Sequence, residues 1–232
     1  MSERRAGVRP GPAWPGSDWD WAEAAVRRSI RASVRRELAG VYLRGPLPPG
    51  GAVVAPTHGS WWDGYLLREL AWTVGHPARV MMLPGQLVRF PFLRRVGAIG
   101  AGDLRAAVRA ARAGEWMVIF PEGRVSAQLA ALRPGAAWVA GVAGVPLVPV
   151  ALRVVMRGAQ HPEAFLRFGP PTTGEALRPA LGALLAALDA DLRAADPEAP
   201  PDGYLRVVRG QGSTHDRVGV AARLLTLLTE RR

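Results

Sequence analysis

Short apolar segments alternate along the chain with longer amphipathic ones. Five short, largely apolar segments predict strands, at residues 52–56, 79–83, 116–120, 146–154 and 165–171, and the first, which is β-branched, predicts a buried strand. Amphipathic segments predict helices, one ending near residue 75 and others at residues 86–97 (short and interrupted), 104–113, 135–143, 179–195 and 216–230. Strands that alternate with helices predict a single α/β domain with a mostly parallel central sheet flanked by helices.

A basic amphipathic helix is predicted ahead of the first strand, over residues 17–38. Its apolar positions recur every fourth residue, at Val26, Ile30, Val34 and Leu38. Five arginines occupy other positions, namely Arg27, Arg28, Arg31, Arg35 and Arg36. Ser17 and Asp20 have capping-box spacing, and the leading end carries Trp14, Trp19 and Trp21. We therefore divide the chain into an N-terminal helical segment, residues 1–44, and a main domain, residues 45–232.

The pattern leaves two interpretations of this helix open. In the first, the helix lies in a membrane interface, with its Trp side chains at headgroup depth and its arginines on lipid phosphates. In the second, it is a surface helix whose Val, Ile and Leu side chains pack on the core of the domain.

No membrane span or signal peptide is predicted. Residues 134–152 carry no charge over 19 positions, close to the roughly 20 that a spanning helix needs. Three prolines and three glycines interrupt this segment, so it divides into a helix and a buried strand. The first twelve residues are polar, basic and broken by proline, unlike a signal peptide, which predicts a cytoplasmic start.

The chain has a formal net charge of +11, and all 30 of its Lys+Arg residues are arginine. Such a charge favours an anionic partner, whether nucleic acid, an anionic membrane surface or a phosphorylated substrate. Beyond the N-terminal helix the arginines are scattered, which argues against nucleic-acid binding. Abundant Ala, Gly and Pro indicate that part of the charge is compositional bias. The absence of cysteine excludes disulfides, a thiol nucleophile and Cys-ligated metals.

The first candidate motif is Thr-His-Gly-Ser-Trp-Trp-Asp at residues 57–63, where a buried strand meets the start of a helix. His58 and Asp63 would lie about 140° apart on a regular helix, so they meet only if His58 lies in the loop. Asp63 would then hold one imidazole nitrogen and leave the other to take a proton from an attacking hydroxyl. The alternative is structural: Ser60 and Asp63 cap the helix, and His58 is an ordinary loop histidine.

The second candidate motif is Phe-Pro-Glu-Gly-Arg at residues 120–124, at the end of another predicted strand. Pro121 and Gly123 allow a sharp turn that presents Glu122 and Arg124 at the same sheet edge as His58. Arg124 is suited to a bidentate grip on a phosphate or carboxylate, and Glu122 to holding a hydroxyl or orienting Arg124. The alternative is a Pro-Gly turn with a surface Glu/Arg pair.

Together with Val-Pro-Leu-Val-Pro-Val-Ala-Leu at residues 145–152, these motifs resemble the glycerolipid acyltransferase family typified by 1-acyl-glycerol-3-phosphate acyltransferase. The resemblance covers about residues 45–152, and the first motif is similar to that family's His-x4-Asp signature. It implies that His58 is the general base and that Asp63 orients it. It also implies that Glu122, Gly123 and Arg124 line the acceptor site, with Ser60 of the first motif a further substrate-binding residue.

The resemblance further implies a reaction, its substrates and a location. An acceptor hydroxyl deprotonated by His58 attacks an acyl thioester, and the thiol of CoA or of an acyl carrier protein leaves. The implied acceptor is a lysophospholipid, foremost 1-acyl-glycerol-3-phosphate, and no metal, other cofactor or covalent acyl-enzyme is needed. The N-terminal helix would anchor the protein on the cytoplasmic face of the anionic cell membrane.

The chain departs from the family pattern at a residue that contacts the acceptor phosphate. The family's second block usually ends in an arginine, whereas residues 96–103 here read Val-Gly-Ala-Ile-Gly-Ala-Gly-Asp. Arg105 or Arg109, on the helix predicted after Asp103, would have to substitute for it. Otherwise the acceptor lacks a phosphate at that position, and the chain acylates another lipid alcohol or amine or has lost activity.

Overall fold

An eight-stranded sheet forms the centre of the molecule. The computed structural model describes residues 20–212 and 225–229. The strands are β1 (Gly40–Arg44), β2 (Ala52–Pro56), β3 (Ala78–Met82), β4 (Ala98–Gly100), β5 (Trp116–Val118), β6 (Leu147–Val155), β7 (Glu163–Phe168) and β8 (Leu205–Arg209). The helices are α1 (Asp20–Glu37), α2 (Asp63–Val74), α3 (Pro84–Arg89), α4 (Leu104–Arg112), α5 (Gly135–Ala143) and α6 (Leu177–Ala194), with a 3₁₀ helix at Pro91–Val96.

The strand order is β4-β3-β5-β2-β6-β7-β1-β8. Every neighbouring pair from β4 to β6 is parallel, and so is the pair β7–β1. The pairs β6–β7 and β1–β8 are antiparallel. The mostly parallel α/β sheet predicted from the sequence is therefore confirmed. β2 lies between β5 and β6, and its Ala-Val-Val-Ala-Pro run is buried throughout.

Side chains of the central strands alternate between two helical layers. Val54 and Val118 point into a core that α1 and α2 complete, whereas Val53 and Met117 face α4 and α5. This alternation is the period of two that a strand imposes on its side chains. Because both faces are covered, these strands are apolar at every position, which makes them recognisable in the sequence.

Three strands, β1, β4 and β8, were not predicted. β4 has only three residues, too few to show a pattern. β8 is an edge strand whose first two residues, Leu205 and Arg206, are exposed. β1 has only five residues and begins three positions after α1 ends, so its residues read as the end of the helical segment. Because β1 pairs with β7 and β8, the segment of residues 1–44 contributes a strand to the sheet as well as a helix.

The predicted helices have counterparts in the structure. Asp103 caps α4, since its carboxylate accepts from the Ala106 N–H at 3.0 Å. The predicted capping residue Ser17, together with Trp14 and Trp19, lies outside the described residues. Of the last predicted helix, residues 225–229 are helical and the remainder lies outside the described residues.

α1 packs on the core, which is the second of the two interpretations of the N-terminal helix. Ile30 and Val34 on α1 are buried. The expectation that all five arginines face lipid phosphates is wrong for two of them. Arg31 and Arg35 pair with the buried carboxylate of Glu69 on α2, at 3.0 and 3.2 Å. A buried carboxylate needs such cationic partners, so these arginines stabilise the packing of α1 on α2.

The uncharged segment at residues 134–152 divides into α5 and β6, as predicted. Gly144 caps the end of α5, and its φ of 68° is the left-handed conformation that closes many helices. Among the described residues, we find no helix with both the length and the apolar character needed to cross a membrane.

Candidate active site

Both sequence motifs lie at one edge of the sheet. β2 ends at Pro56 and leads into the loop of residues 57–62, and α2 follows. β5, the parallel neighbour of β2, leads into residues 120–124. We call the edge at which β2, β3 and β5 end the carboxyl edge, and the opposite one the amino edge. Parallel α/β sheets bind their ligands at the carboxyl edge.

Thr57 ties the first loop to β6. Its N–H donates to the Val150 carbonyl at 2.9 Å, and its hydroxyl accepts from the Leu152 N–H at 3.0 Å. Thr57 is buried, so these bonds are shielded from water. The loop that carries His58 therefore starts from a fixed point beside β6.

The structure brings His58 and Asp63 together. His58 lies in the loop and Asp63 is the first residue of α2, and Nδ1 of the imidazole is 2.8 Å from Oδ2 of the carboxylate. A carboxylate accepts only, so Nδ1 carries a hydrogen and Nε2 has a free lone pair when the ring is neutral. The pair thus has the geometry of a general base held in one tautomer by its carboxylate.

Asp63 is buried beneath the imidazole. Burial raises the pKa of its carboxyl above the usual 3.8, and the hydrogen bonds from His58 and from the Ser60 N–H partly offset this rise. The Ser60 N–H donates to Oδ2 at 2.9 Å, whereas Oδ1 is buried without a hydrogen-bond partner in the described chain. A carboxylate desolvated in this way is costly to ionise, and a positive charge on the adjacent imidazole compensates for that cost.

The second motif and the nearby Ser126 hold His58 through three contacts. The Phe120 ring stacks on the imidazole with its centroid 4.2 Å away. The His58 N–H donates to Glu122 Oε1 at 2.9 Å, and the His58 carbonyl accepts from the Ser126 N–H at 2.8 Å. These contacts fix both the backbone and the ring plane of His58. The sequence did not predict that the motif positions His58. Ring stacking and backbone hydrogen bonds between segments about sixty residues apart follow no sequence pattern.

Glu122 lies in the interior rather than on a wall of an open acceptor site. Its side chain is 4% exposed, and its other carboxylate oxygen accepts from the Ala130 N–H at 2.8 Å. Both oxygens are therefore occupied by backbone donors. This arrangement replaces the surface Glu/Arg pair considered above and corrects the expectation that the carboxylate of Glu122 lines the acceptor site.

Gly123 and Arg124 complete the turn after Glu122. Gly123 has a φ of 67°, a left-handed backbone conformation that favours glycine. The Arg124 side chain is exposed at the carboxyl edge. Arg124 is therefore open to solvent, and its binding of an anionic ligand stays a prediction.

Ser60 has a local structural role. In addition to the bond from its N–H to Asp63, its hydroxyl accepts from the Trp62 N–H at 3.2 Å. The N-cap residue of α2 is Trp62, and no side chain caps it, so Ser60 and Asp63 do not cap the helix as the alternative interpretation had it. Their bond coexists with the His58–Asp63 contact, because one carboxylate oxygen serves both the Ser60 N–H and the imidazole. Next to Ser60, Trp61 is 65% exposed and its ring lies 4.9 Å from those of Trp62 and Tyr65.

Arg105 and Arg109 are not joined to this site by any contact within the described residues. Both are exposed on α4, which packs against α5 and the sheet face that carries Met117. No group of three or more His, Cys, Asp or Glu side chains suited to a metal ion occurs among residues 20–212 and 225–229.

Arg153 is a residue near the site that sequence reasoning missed. It follows Leu152 on β6, and a Cβ built on Gly59 would lie 3.8 Å from its Nη1. Its guanidinium forms a bidentate pair with Asp189 of α6, with Nε–Oδ1 at 2.8 Å and Nη2–Oδ2 at 3.0 Å. The only sequence signal was its position directly after the segment of residues 145–152.

Comparison with protein families gives a match to the model described as Acyltransferase, over residues 40–153. This match covers about half of the chain and contains both motifs, β1 to β5 and most of β6. No curated protein matches the chain.

The fold is similar to a solved structure described as the 1-acyl-sn-glycerophosphate (LPA) acyltransferase PlsC from Thermotoga maritima. The TM-score is 0.52 at 20% sequence identity, and the similarity covers 77% of this chain and 84% of that one. At this identity the likeness establishes a shared α/β fold. Together with the family match, it leads to one conclusion: the chain belongs to the acyltransferase family.

Proposed function

We propose that this protein transfers a fatty acyl group from an acyl thioester to the free hydroxyl of a lysophospholipid, in phospholipid biosynthesis. The observation that carries the proposal is the 2.8 Å contact between His58 Nδ1 and Asp63 Oδ2 at the carboxyl edge of an acyltransferase-family sheet. The thioester is acyl-CoA or an acylated carrier protein, and it acts as a co-substrate rather than as a resident cofactor.

In the proposed reaction His58 acts on the acceptor hydroxyl. Nε2 takes the proton as the hydroxyl oxygen attacks the thioester carbonyl, and a new C–O bond forms. The C–S bond then breaks, and the imidazolium returns its proton to the thiolate. Asp63 stabilises the imidazolium, and the stacked Phe120 ring and the Glu122 carboxylate keep the base in place.

The proposed acceptor is 1-acyl-glycerol-3-phosphate. The similarity to the Thermotoga maritima protein described as an LPA acyltransferase supports this choice. The exposed guanidinium of Arg124 at the carboxyl edge is a suitable ligand for an anionic headgroup. The arginine that usually ends the second block of the family is missing here. Its absence favours a second candidate function, the acylation of a lipid acceptor that lacks the phosphate.

We further propose that the protein works peripherally at the cytoplasmic face of an anionic membrane. The support comes from the carboxyl edge rather than from the apolar face of α1, which is buried. Val88 on α3 is 80% exposed, and Phe92 in the following 3₁₀ helix and Trp61 beside His58 are also exposed. Arg89 adds an exposed cation next to Val88, so α3, which follows the end of β3, carries apolar and basic residues that are open to solvent.

The test is turnover of purified full-length protein on a panel of lysolipids with acyl-CoA and with acyl carrier protein donors, measured as release of free thiol. We expect acylation of 1-acyl-glycerol-3-phosphate, and a loss of about 100-fold or more in kcat for His58→Ala. His76→Ala, at the amino edge between α2 and β3, is the control and should retain activity. Equal turnover by wild type and His58→Ala would overturn the mechanism.

A further inference from the structure

Arg153 reaches the His58 loop because β6 is longer than β2. β2 ends at Pro56, which pairs with Val150, and β6 continues to Val155. The Thr57 hydroxyl accepts from the Leu152 N–H, so the next residue, Arg153, lies beside the loop. The 3.8 Å between its Nη1 and a Cβ built on Gly59 places the guanidinium against the residue that follows His58.

Asp189 holds this guanidinium in one orientation. The bidentate pair occupies Nε and Nη2, and it leaves the two N–H groups of Nη1 for another acceptor. The Arg153 side chain is 23% exposed, so a ligand can reach it. The hydrogen bond to Asp189 raises the pKa of Arg153, and the nearby carboxylates of Asp63 and Glu122 act in the same direction. A guanidinium is in any case always charged in proteins, so the group is a cation.

We propose that Arg153, oriented by Asp189, binds the phosphate of the acceptor and selects phosphorylated lysolipids. This inference rests on the proposed function. In 1-acyl-glycerol-3-phosphate the free hydroxyl and the phosphate ester are on adjacent carbons, so a cation for the phosphate must lie close to the base. Arg153 meets this requirement because its guanidinium lies against Gly59, the residue after His58. It would take the place of the arginine that usually ends the second block of the family and is missing at residues 96–103.

The other candidate cations are less suited to this role. Arg105 and Arg109 are exposed on α4 and make no contact with the His58 loop within the described residues. Arg124 is exposed and has no carboxylate holding it in the described chain. A guanidinium already ordered by a bidentate carboxylate loses less side-chain entropy when it binds a phosphate.

The test compares two acceptors that differ only in the phosphate, 1-acyl-glycerol-3-phosphate and 1-acyl-glycerol. We expect Arg153→Gln to lower kcat/KM by about 10- to 100-fold for the phosphorylated acceptor, mainly through KM, and to leave the neutral acceptor unchanged. Arg153→Lys and Asp189→Asn should give smaller losses in the same direction. Arg79→Gln is the matched control, since Arg79 forms a bidentate pair with Glu115 away from the His58 loop.

Equal losses on both acceptors, or no loss on either, would overturn the role of Arg153. Binding of 1-acyl-glycerol-3-phosphate to His58→Ala protein, with and without Arg153→Gln, separates this inference from the proposed function. If wild type shows no acyl transfer but binding weakens with Arg153→Gln, the proposed function fails and the phosphate site stands. If transfer occurs and binding does not depend on Arg153, the proposed function stands and the phosphate site at Arg153 fails. If Arg153→Gln does not fold, the same comparison of the two acceptors with Arg153→Lys and Asp189→Asn decides whether Arg153 binds the phosphate.

Discussion

Substituting Glu122 by Gln separates a role in positioning His58 from a role in binding the acceptor. The two side chains have the same shape, but Gln has one accepting oxygen and one amide nitrogen. In the structure both carboxylate oxygens accept backbone N–H groups, from His58 at 2.9 Å and from Ala130 at 2.8 Å. Gln can therefore satisfy one of these donors, and its amide nitrogen must face the other.

The expected cost follows from the lost bond and from the donor left without a partner. A hydrogen bond to a charged group contributes about 1.5–3 kcal/mol, and a buried unsatisfied donor costs about 1–3 kcal/mol. Because these contributions overlap, we expect Glu122→Gln to lower the free energy of unfolding by about 3 kcal/mol. For a chain of this size the melting temperature should fall by roughly 6–12 °C. Domains are stable by about 5–15 kcal/mol, so the variant should still fold.

Urea unfolding and steady-state kinetics on the same preparation measure the two effects. With the His58 backbone released, the base loses its fixed position, and we expect kcat to fall about 10-fold or more with little change in KM for the acceptor. Glu163→Gln is the matched control. Glu163 is also a buried carboxylate, paired with Arg157 at 2.8 Å, and it makes no contact with His58. This control should lose stability but keep kcat.

The opposite pattern would refute the reasoning. If Glu122→Gln kept wild-type stability and kcat but raised KM for the acceptor, the carboxylate would bind substrate, as the family resemblance implies. A variant with lowered stability and unchanged kcat would show that the two loops can separate without displacing the base.

Two further substitutions test the electrostatics and the membrane surface. Because burial raises the pKa of Asp63 in the folded state, the unfolded chain ionises first as pH rises above 3.8, and wild type should lose stability through this window. Asp63→Asn should not share that loss, so the free energy of unfolding of wild type should fall relative to that of Asp63→Asn. If urea unfolding instead showed wild type gaining stability over the variant from pH 3.5 to 7, the raised pKa of Asp63 would be contradicted. Val88→Glu should weaken co-sedimentation with anionic liposomes, whereas Val142→Glu, at an exposed apolar residue of α5, should not. Equal liposome binding by both variants and wild type would show that α3 is not part of the membrane-binding surface.

The sequence predicts well those parts of the fold that are buried on two sides. β2 and β6 are continuous apolar runs because helices cover both of their faces. β4 and β8 lie at the two ends of the sheet, where short length and exposed arginines remove the pattern. The sequence also could not show which arginines of α1 face the protein. Arg31 and Arg35 do so because they pair with one buried carboxylate, Glu69, on another helix.

The same distinction applies to the site. His58 and Asp63 are five residues apart, so the sequence itself shows that they can meet across a loop-to-helix junction, which was one of its two interpretations. Glu122 acts on backbone N–H groups, which every residue has, and no sequence pattern marks the ones that need a partner. Arg153 and Asp189 are 36 residues apart on a strand and a helix, and only the packing of α6 on β6 brings them together.

The corrected role of α1 changes where the lipid acceptor would approach. Val34 is fully buried, and Arg31 and Arg35 neutralise Glu69, so removing α1 would expose core and leave a buried charge unpaired. Point substitutions on α3 therefore test membrane binding without disturbing the core, as a deletion of α1 would. On the proposed function, Val88, Arg89 and Trp61 contact the bilayer at the edge that holds His58. A lysolipid could then present its hydroxyl to the base while its acyl chain stays in the membrane, which a binding surface at the amino edge would not permit.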